Sequence, residues 1–398
     1  MNPLIDKWRL DNVKIVLDSG LVEGSVVVEN GVIAAVVQKK AGLVHDTGGN
    51  GGITIIDGAG GILLPGFIDV HVHGGYGADF MDASKPAFDT ITRFHASKGT
   101  TTMLATTVTA SREAIEAVLE AAAEYMRSDM PYAALAGVHL EGPFISELWP
   151  GAQNPAYISP PRMDWVDKWV SLHPGIIKQL TLAPEKEGAL ELIKQLARQG
   201  IVAACGHTDA VYADIMKAAD AGLSQAVHTY NAMRGLHHRE PGTVGAVLTD
   251  ARIYAEIIAD GHHVHPAAVR LLAASKPADK LILITDAIAA AGLGDGEYDL
   301  GGLTVDVRAS IARLREGGSL AGSTLTMIDA FRFMLEHTNL TVSQVSRIAS
   351  ANPARQLGLQ QRTGSIAIGK QADLVLASES FTSVLRTWVG GRQVYAAD

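Results

Sequence analysis

The stretch GFIDVHVHGG, residues 66–75, sets His71 and His73 two positions apart, behind an apolar run and ahead of a glycine pair. A strand turns its side chains to alternate faces, so His71 and His73 project together if the chain is extended over 67–72. Two neutral imidazoles side by side suit a divalent cation. Further on, Glu141 stands in HLEGP, His207 in GHTD, His228 in HTYNAM and Asp286 in TDA, each closing an apolar run. Taken singly, each has an ordinary reading: a satisfied core histidine, or a carboxylate capping a helix. Four histidines and two carboxylates at the ends of five separate strand-like runs form a pattern that these readings do not explain. The C-terminal strand ends of a parallel barrel converge on the face that carries active sites, so the set reads as a metal centre. Imidazole and carboxylate without thiolate suit Zn²⁺, Fe²⁺, Mn²⁺ or Co²⁺. Two ions are expected, with His71 and His73 on one and His207 and His228 on the other. Glu141 would bridge them, and Asp286 would meet the first ion and an attacking water.

The elements that must position these residues are legible as a repeating alternation. Strand-like runs occur at GFIDVHVH, TTMLATTV, AALAGVHLEG, IIKQLTLAP, IVAACGH, SQAVHTYN, IYAEIIAD and LILITDA. Helix-period segments such as SREAIEAVLEAAAEYM, GALELIKQLARQG and HPAAVRLLAAS lie between them. Eight strands alternating with helices predict an α/β fold, a (β/α)₈ TIM-like barrel, over 64–363. A doubly wound open sheet is the alternative, but no G-x-G-x-x-G turn follows the first strand. Both chain ends read as strands. SVVVENGVIAAVV is a hairpin about Asn30-Gly31, and TWVGGRQVYA is one about Gly390-Gly391. Residues 1–63 and 364–398 are therefore expected to build one small β-sandwich domain. The Pro- and Gly-rich stretch from Gly142 to about Pro161 is long for a compact domain, as functional lids are.

Composition narrows the function class. The chain has 398 residues, 47% hydrophobic and 19% charged, as globular proteins do. A formal charge of -9 argues against a nonspecific nucleic-acid binder. Cys205 is the only cysteine, so neither an internal disulfide nor a thiolate cluster can form, which fits a reducing compartment. The opening MNPLIDKWRLDN has no apolar leader core, and no apolar run is long enough to span a bilayer. A cytoplasmic protein with no membrane partner is expected.

The motifs LLPGFIDVHVHGG, TTVT, HLEGPFIS, GHTDA, HTYNAM, HREPG, DGHHVH, TDA, LAGSTLTM and ASANPARQLGL…GSIAIGKQADLV follow one another from about Gly58 to Val394. In this order the chain resembles the N-acetylglucosamine-6-phosphate deacetylase family of the amidohydrolase superfamily. The H-x-H pair and the final Asp are general to the superfamily; HLEGPF, HTYNAM and HREPG are specific to the deacetylases. The resemblance implies a homodimeric enzyme that hydrolyses the acetamide of an amino-sugar 6-phosphate. It implies that Glu141, His207 and His228 are the constant metal ligands, that His71 and His73 mark the two-metal branch, and that Asp286 is the catalytic acid/base. Asn231 and Ala232 match the sugar contacts, and Leu320, Ala321 and Gly322 a backbone segment lining the sugar. Arg239 and His263 match phosphate contacts made partly across the dimer interface. Many two-metal barrel hydrolases bridge their ions with a carboxylated lysine after strand four. Here that strand ends TLAPE, which leaves Glu141 as the bridge.

One segment departs from the pattern. Relatives often follow EGPFIS with Pro, several basic residues and then Gly-Ala-His or Gly-Ala-Gln. Here the lid reads ELWP and then Gly151-Ala152-Gln153. Ala152 and Gln153 remain substrate-contact candidates, although Gln153 carries no charge. Asp69 is expected to be a hydrogen-bonding partner, Cys205 a small core residue, and His237, His238, His262 and His265 not to bind metal. Other N-acyl or cyclic-amide substrates would fit the same fold, but Arg239 and HTYNAM argue against them. A binding protein that has lost its metal is also conceivable for this fold, but all six candidate ligand positions are filled.

Overall fold

The computed structural model describes residues 7–39 and 53–397. Of the segments assigned to the small domain, 1–6, 40–52 and 398 lie outside the described residues. Eight parallel strands form one sheet in chain order: Phe67–Asp69, Thr100–Thr107, Ala134–Glu141, Ile177–Leu182, Val202–Cys205, Gln225–Ala226, Tyr254–Ile258 and Leu281–Ile284. All eight coincide with the apolar runs of the sequence. The first and last strands are joined beyond their ends. Asp286 N–H donates to His71 O at 2.9 Å, and His73 N–H to Ala287 O at 2.8 Å. Below them, Thr285 Oγ1 donates to Asp69 Oδ2 at 2.6 Å. The barrel is thereby closed.

Helices cover the outside. Arg112–Arg127 starts where Ser111 accepts a hydrogen bond from Ala114 N–H, an N-cap that satisfies one free donor of the first turn. Its buried face, including Ile115 and Leu119, belongs to the same apolar cluster as Val138 and Leu140 of the third strand. Each fully buried Leu or Ile of this kind contributes about 1.5–3 kcal/mol of transfer free energy. The strand residues facing the other way, His139 and Glu141, point into the barrel.

The chain ends form an eight-stranded sheet of their own, in which Ile62–Pro65 pairs both with Lys7–Leu17 and with Leu374–Ala377. The sheet folds over on itself. The turn at Asn30-Gly31, near one edge, packs on the turn at Gly390-Gly391 near the other, so closely that a Cβ at Gly31 would lie 2.7 Å from Gly390 O. All four turn residues have positive φ, as two-residue hairpins require. Trp8 and Trp388 stack inside the fold at 5.3 Å. This is the sandwich expected from the two terminal β segments.

Two features differ from expectation. The first barrel strand ends at Asp69, not at Val72. Val72 N–H is taken by Thr106 Oγ1 at 2.9 Å in place of a backbone carbonyl, although Thr106 N–H still donates to Val72 O at 3.1 Å, and His71 and His73 continue toward the centre. A three-stranded antiparallel sheet, Gly296–Leu300, Leu303–Arg308 and Ile311–Leu314, is inserted after the last barrel strand and was not anticipated. Its buried side chains Leu300, Val305, Val307 and Ala312 cluster with Ile288 and Ala321, with Ala152 of the lid packed alongside.

Candidate active site

Four of the six candidate ligands stand two residues past a strand end: His71, His207, His228 and Asp286. Three of these, His207, His228 and Asp286, hold the left-handed backbone conformation, with φ of 49°, 30° and 51°. Few residues other than glycine adopt it, and such strain concentrates where side-chain direction matters. Asp286 is held there by hydrogen bonds of its own backbone, from its N–H to His71 O and to its carbonyl from Ser323 N–H at 2.7 Å.

The side chains converge on Glu141. Its Oε1 lies 3.1 Å from His71 Nε2, 3.3 Å from His207 Nε2 and 3.1 Å from His228 Nε2. Its Oε2 lies 3.4 Å from His73 Nε2, which is in turn 3.1 Å from Asp286 Oδ1. All six residues are buried. Two groups bring one ligand atom from each member within 4.8 Å of the others: His71, His73 and Asp286, and His71, Glu141 and His228. His207 joins the second through Glu141 and through a 3.2 Å approach to His228 Nε2. His71, His73 and Asp286 lie together, as do Glu141 and His228, in line with the expected pairing. His71 stands in both groups, because its Nε2 lies between Glu141 Oε1 and Asp286 Oδ1.

The chemistry of these donors fits a divalent cation. Nδ1 of His73 faces Thr106 O at 3.2 Å, and Nδ1 of His207 faces Trp149 O at 2.9 Å. A carbonyl only accepts, so each ring carries a proton on Nδ1 and turns Nε2 inward, to take a cation on its lone pair or, without one, a second proton. Those Nε2 atoms meet a carboxylate and one another. His71 Nε2 is close to Glu141 but not aligned for a hydrogen bond, and it has no partner. Lone pairs gathered around a buried carboxylate need a positive charge between them. The electrostatics agree. Burial disfavours a charged ring, yet the Glu141 and Asp286 carboxylates outweigh it and raise His71 well above its ordinary value. Burial likewise opposes charge on His73, but Asp286 and Glu141 carry its pKa up to about 10. Glu141 and Asp286 are both lowered, since their histidine neighbours overcome the burial that would raise them.

The lid reaches this centre. Gln153 is buried; its Nε2 donates to Glu141 Oε2, and its Oε1 accepts from Thr109 N–H at 2.6 Å. Trp149 Nε1 donates to Asp209 Oδ1 at 2.8 Å, and Arg234 donates to the other oxygen of the same carboxylate. Glu147 pairs with Lys186. Thus the lid that lacks basic residues is tied down by Trp149 and Glu147. The sequence reading missed Asp209, Arg234 and Thr109, which have no distinctive spacing.

The remaining candidates lie around the rim. Asn231 Nδ2 donates to His228 O at 3.1 Å, and Ala232 O accepts from Thr208 N–H at 3.1 Å. Leu320, Ala321 and Gly322 run from the inserted sheet to Asp286. Ala321 N–H bonds Ala312 O, and a Cβ on Gly322 would meet Asp286 O at 2.9 Å. Arg239 is exposed, with Nη1 2.9 Å from His238 Nε2. His263 is held by Asp260 Oδ2, 2.7 Å from its Nδ1. Among the described residues no hydrogen bond joins Arg239 or His263 to the metal ligands or to each other. Asp69 accepts from His71 N–H and Thr285 Oγ1 and stands outside both metal groups. Neither group includes His237, His238, His262 or His265.

A closed (β/α)₈ barrel with histidines and carboxylates at its strand ends defines a metal-dependent hydrolase class, and comparison with known proteins agrees. The pattern of the amidohydrolase family matches residues 62–394, and the chain belongs to that family. Within it, the chain is 45% identical over 330 residues to the N-acetylglucosamine-6-phosphate deacetylase of Bacillus subtilis (strain 168), covering 82% of this chain and 83% of the other. It is 41% identical over 331 residues to the N-acetylgalactosamine-6-phosphate deacetylase of Escherichia coli O157:H7, covering 83% and 87%. The structure superposes on a D267A mutant N-acetyl-D-glucosamine-6-phosphate deacetylase from Mycobacterium smegmatis, in complex with N-acetyl-D-glucosamine-6-phosphate. The TM-score is 0.89, at 34% identity over 98% of this chain and 99% of the other.

Proposed function

We propose that the chain hydrolyses the acetamide of N-acetylglucosamine 6-phosphate, releasing acetate and glucosamine 6-phosphate. The observation that carries the reading is the convergence of four histidine Nε2 atoms on buried Glu141, with Asp286 against His71 and His73, in a chain whose relatives are named for this reaction. A divalent metal bound there supplies a polarised acetyl carbonyl and a water whose pKa falls from roughly 15.7 toward about 7. His71, His73, Glu141, His207, His228 and Asp286 would hold it, as two ions of Zn, Fe, Mn or Co.

The chain's own residues do the rest. The Asp286 carboxylate takes a proton from the attacking water and returns it to the nitrogen as the C–N bond breaks, so that the amine leaves neutral. Gln153 and Ala152 place the lid over the acetyl group. Asn231, Ala232 and the Leu320–Gly322 backbone line the sugar. Arg239 and His263 take the phosphate, partly across a homodimer interface; a guanidinium grips phosphate with two parallel hydrogen bonds. We further assign residues 1–63 with 364–398 to the small domain and 64–363 to the barrel. The protein is proposed to work in the cytoplasm. Among the described residues no helix is long and apolar enough to cross a membrane.

The test is removal of metal. Chain stripped with a chelator, and verified metal-free, should release no acetate from N-acetylglucosamine 6-phosphate and should recover on adding Zn²⁺, Mn²⁺, Co²⁺ or Fe²⁺. Full turnover by verified metal-free protein would end the proposal. The galactosamine epimer is the second reading, favoured by the 41% identical relative.

A further inference from the structure

Beneath the metal ligands one layer of barrel side chains is polar, beside an apolar cluster that includes Ile68, Leu104, Ile258, Ile282 and Ile284, where barrels ordinarily stack branched apolar residues throughout. His139, Gln179, Gln225 and Glu256 are all fully buried. Their hub is Glu256, from the seventh strand. Its Oε1 accepts from Gln179 Nε2 at 2.9 Å and from Gln225 Nε2 at 2.5 Å. Its Oε2 lies 2.9 Å from His71 Nδ1 and 3.4 Å from His228 N–H. Gln225 Nε2 also reaches Gln179 Oε1 at 2.8 Å, which fixes both amides. His139 closes the layer, its ring edge-on to His71 at 4.7 Å and its Nε2 on Thr181 Oγ1 at 2.8 Å.

A buried carboxylate is costly unless its oxygens are filled with donors. Here two amides and a backbone N–H supply donors from three sides, and the imidazole of His71 is the remaining partner. Two Gln side chains orient the carboxylate, and the carboxylate orients the ring. His71 is also the one residue common to both metal groups. We propose that Glu256 is a positioning residue for the metal centre: it holds the His71 proton on Nδ1, so that the Nε2 lone pair faces Glu141 and Asp286, and it steadies the backbone at His228. Partners of this kind typically tune metal affinity by about 10–100-fold. The inference rests on reading His71 as a metal ligand. Within the sequence the only sign of Glu256 is one acid inside an apolar strand, IYAEIIAD.

The experiment is a competition titration of chelator-stripped protein with zinc, read as an apparent Kd, on wild type, Glu256→Gln, Thr181→Val and His71→Asn. Glu256→Gln should weaken zinc about 10–100-fold. Thr181→Val perturbs the same layer at His139 without touching Glu256 and should stay within about threefold of wild type. If His71→Asn leaves zinc affinity unchanged, the metal-ligand reading fails. If His71→Asn weakens zinc while Glu256→Gln does not, or if Thr181→Val weakens it as much as Glu256→Gln, the role of Glu256 is overturned. A measurement on wild type stands if Glu256→Gln does not fold. Nitrogen-15 spectra of the zinc-loaded protein should place the His71 proton on Nδ1, and a proton on Nε2 would refute the proposal.

Discussion

Replacing Asp286 with Asn removes the proposed proton acceptor and the charge of one candidate metal ligand, and little else. The amide nearly copies the carboxylate in shape. The backbone bonds that seat the residue, to His71 O and from Ser323 N–H, are unchanged by the substitution. Its φ of 51° lies in the left-handed region, where Asn is among the few tolerated residues. The contact of Oδ1 with His73 Nε2, 3.1 Å, is kept by the amide oxygen without its charge. The expected cost to stability is therefore small; about 1 kcal/mol moves Tm by roughly 2–4 °C in domains of 150–250 residues. The cost to turnover is large. General acid–base catalysis contributes about 10²–10⁴-fold, equivalent to roughly 2.7–5.4 kcal/mol of barrier. Acetate release from N-acetylglucosamine 6-phosphate by Asp286→Asn, with metal content and circular dichroism measured on the same sample, should fall by about 10²–10⁴ in kcat while metal and fold are mostly kept. A variant holding more than about a tenth of wild-type kcat would show that Asp286 is not the proton carrier.

Three further outcomes are expected. Elemental analysis should find two ions per wild-type chain, with His73→Ala losing one and His71→Ala weakening both, because His71 alone belongs to both groups; a single ion in fully loaded wild type would refute the two-ion assignment. Arg239→Ala should lower kcat/KM at least about tenfold, since charged hydrogen bonds contribute about 1.5–3 kcal/mol each, and only toward phosphorylated sugars; an equal loss with an unphosphorylated sugar would remove Arg239 from phosphate binding. Burial pushes the Cys205 thiol up to about 12, so at pH 8 it is almost wholly neutral and should not react with a disulfide reagent until the protein is denatured, when one thiol per chain titrates; fast labelling of native protein would contradict its core position.

The barrel was legible because its strands are buried on both faces and read as continuous apolar runs. The six candidate ligands were legible for a related reason. Each interrupts or closes such a run, and the fold gathers strand ends at one face. What stayed hidden depends on three-dimensional direction. Glu256, Gln179 and Gln225 sit singly on three strands, with no spacing that links them before the barrel closes. That His71 faces both metal groups follows from where Glu141 and Asp286 point, which no linear interval records. The inserted sheet, residues 296–314, is short and partly exposed, with none of the long apolar runs of the barrel. Its consequence is local: it carries Leu320–Gly322 to Asp286. Gln153 was placed in the lid by its motif, but its grip on Glu141 became visible only once Thr109 and Glu141 were seen on either side of it.

The chain's proposed reaction is hydrolysis of an amino-sugar 6-phosphate at the centre around Glu141. The most direct measurement is kcat/KM of metal-loaded wild-type protein, by acetate release, for N-acetylglucosamine 6-phosphate, N-acetylgalactosamine 6-phosphate and unphosphorylated N-acetylglucosamine under one set of conditions. N-acetylglucosamine 6-phosphate should lead, and the unphosphorylated sugar should lag by at least about tenfold, the loss of one charged hydrogen bond or more. A galactosamine preference would move the chain to the second reading. An unphosphorylated sugar turned over as well as its 6-phosphate, or no acetate from any of the three, would contradict the account.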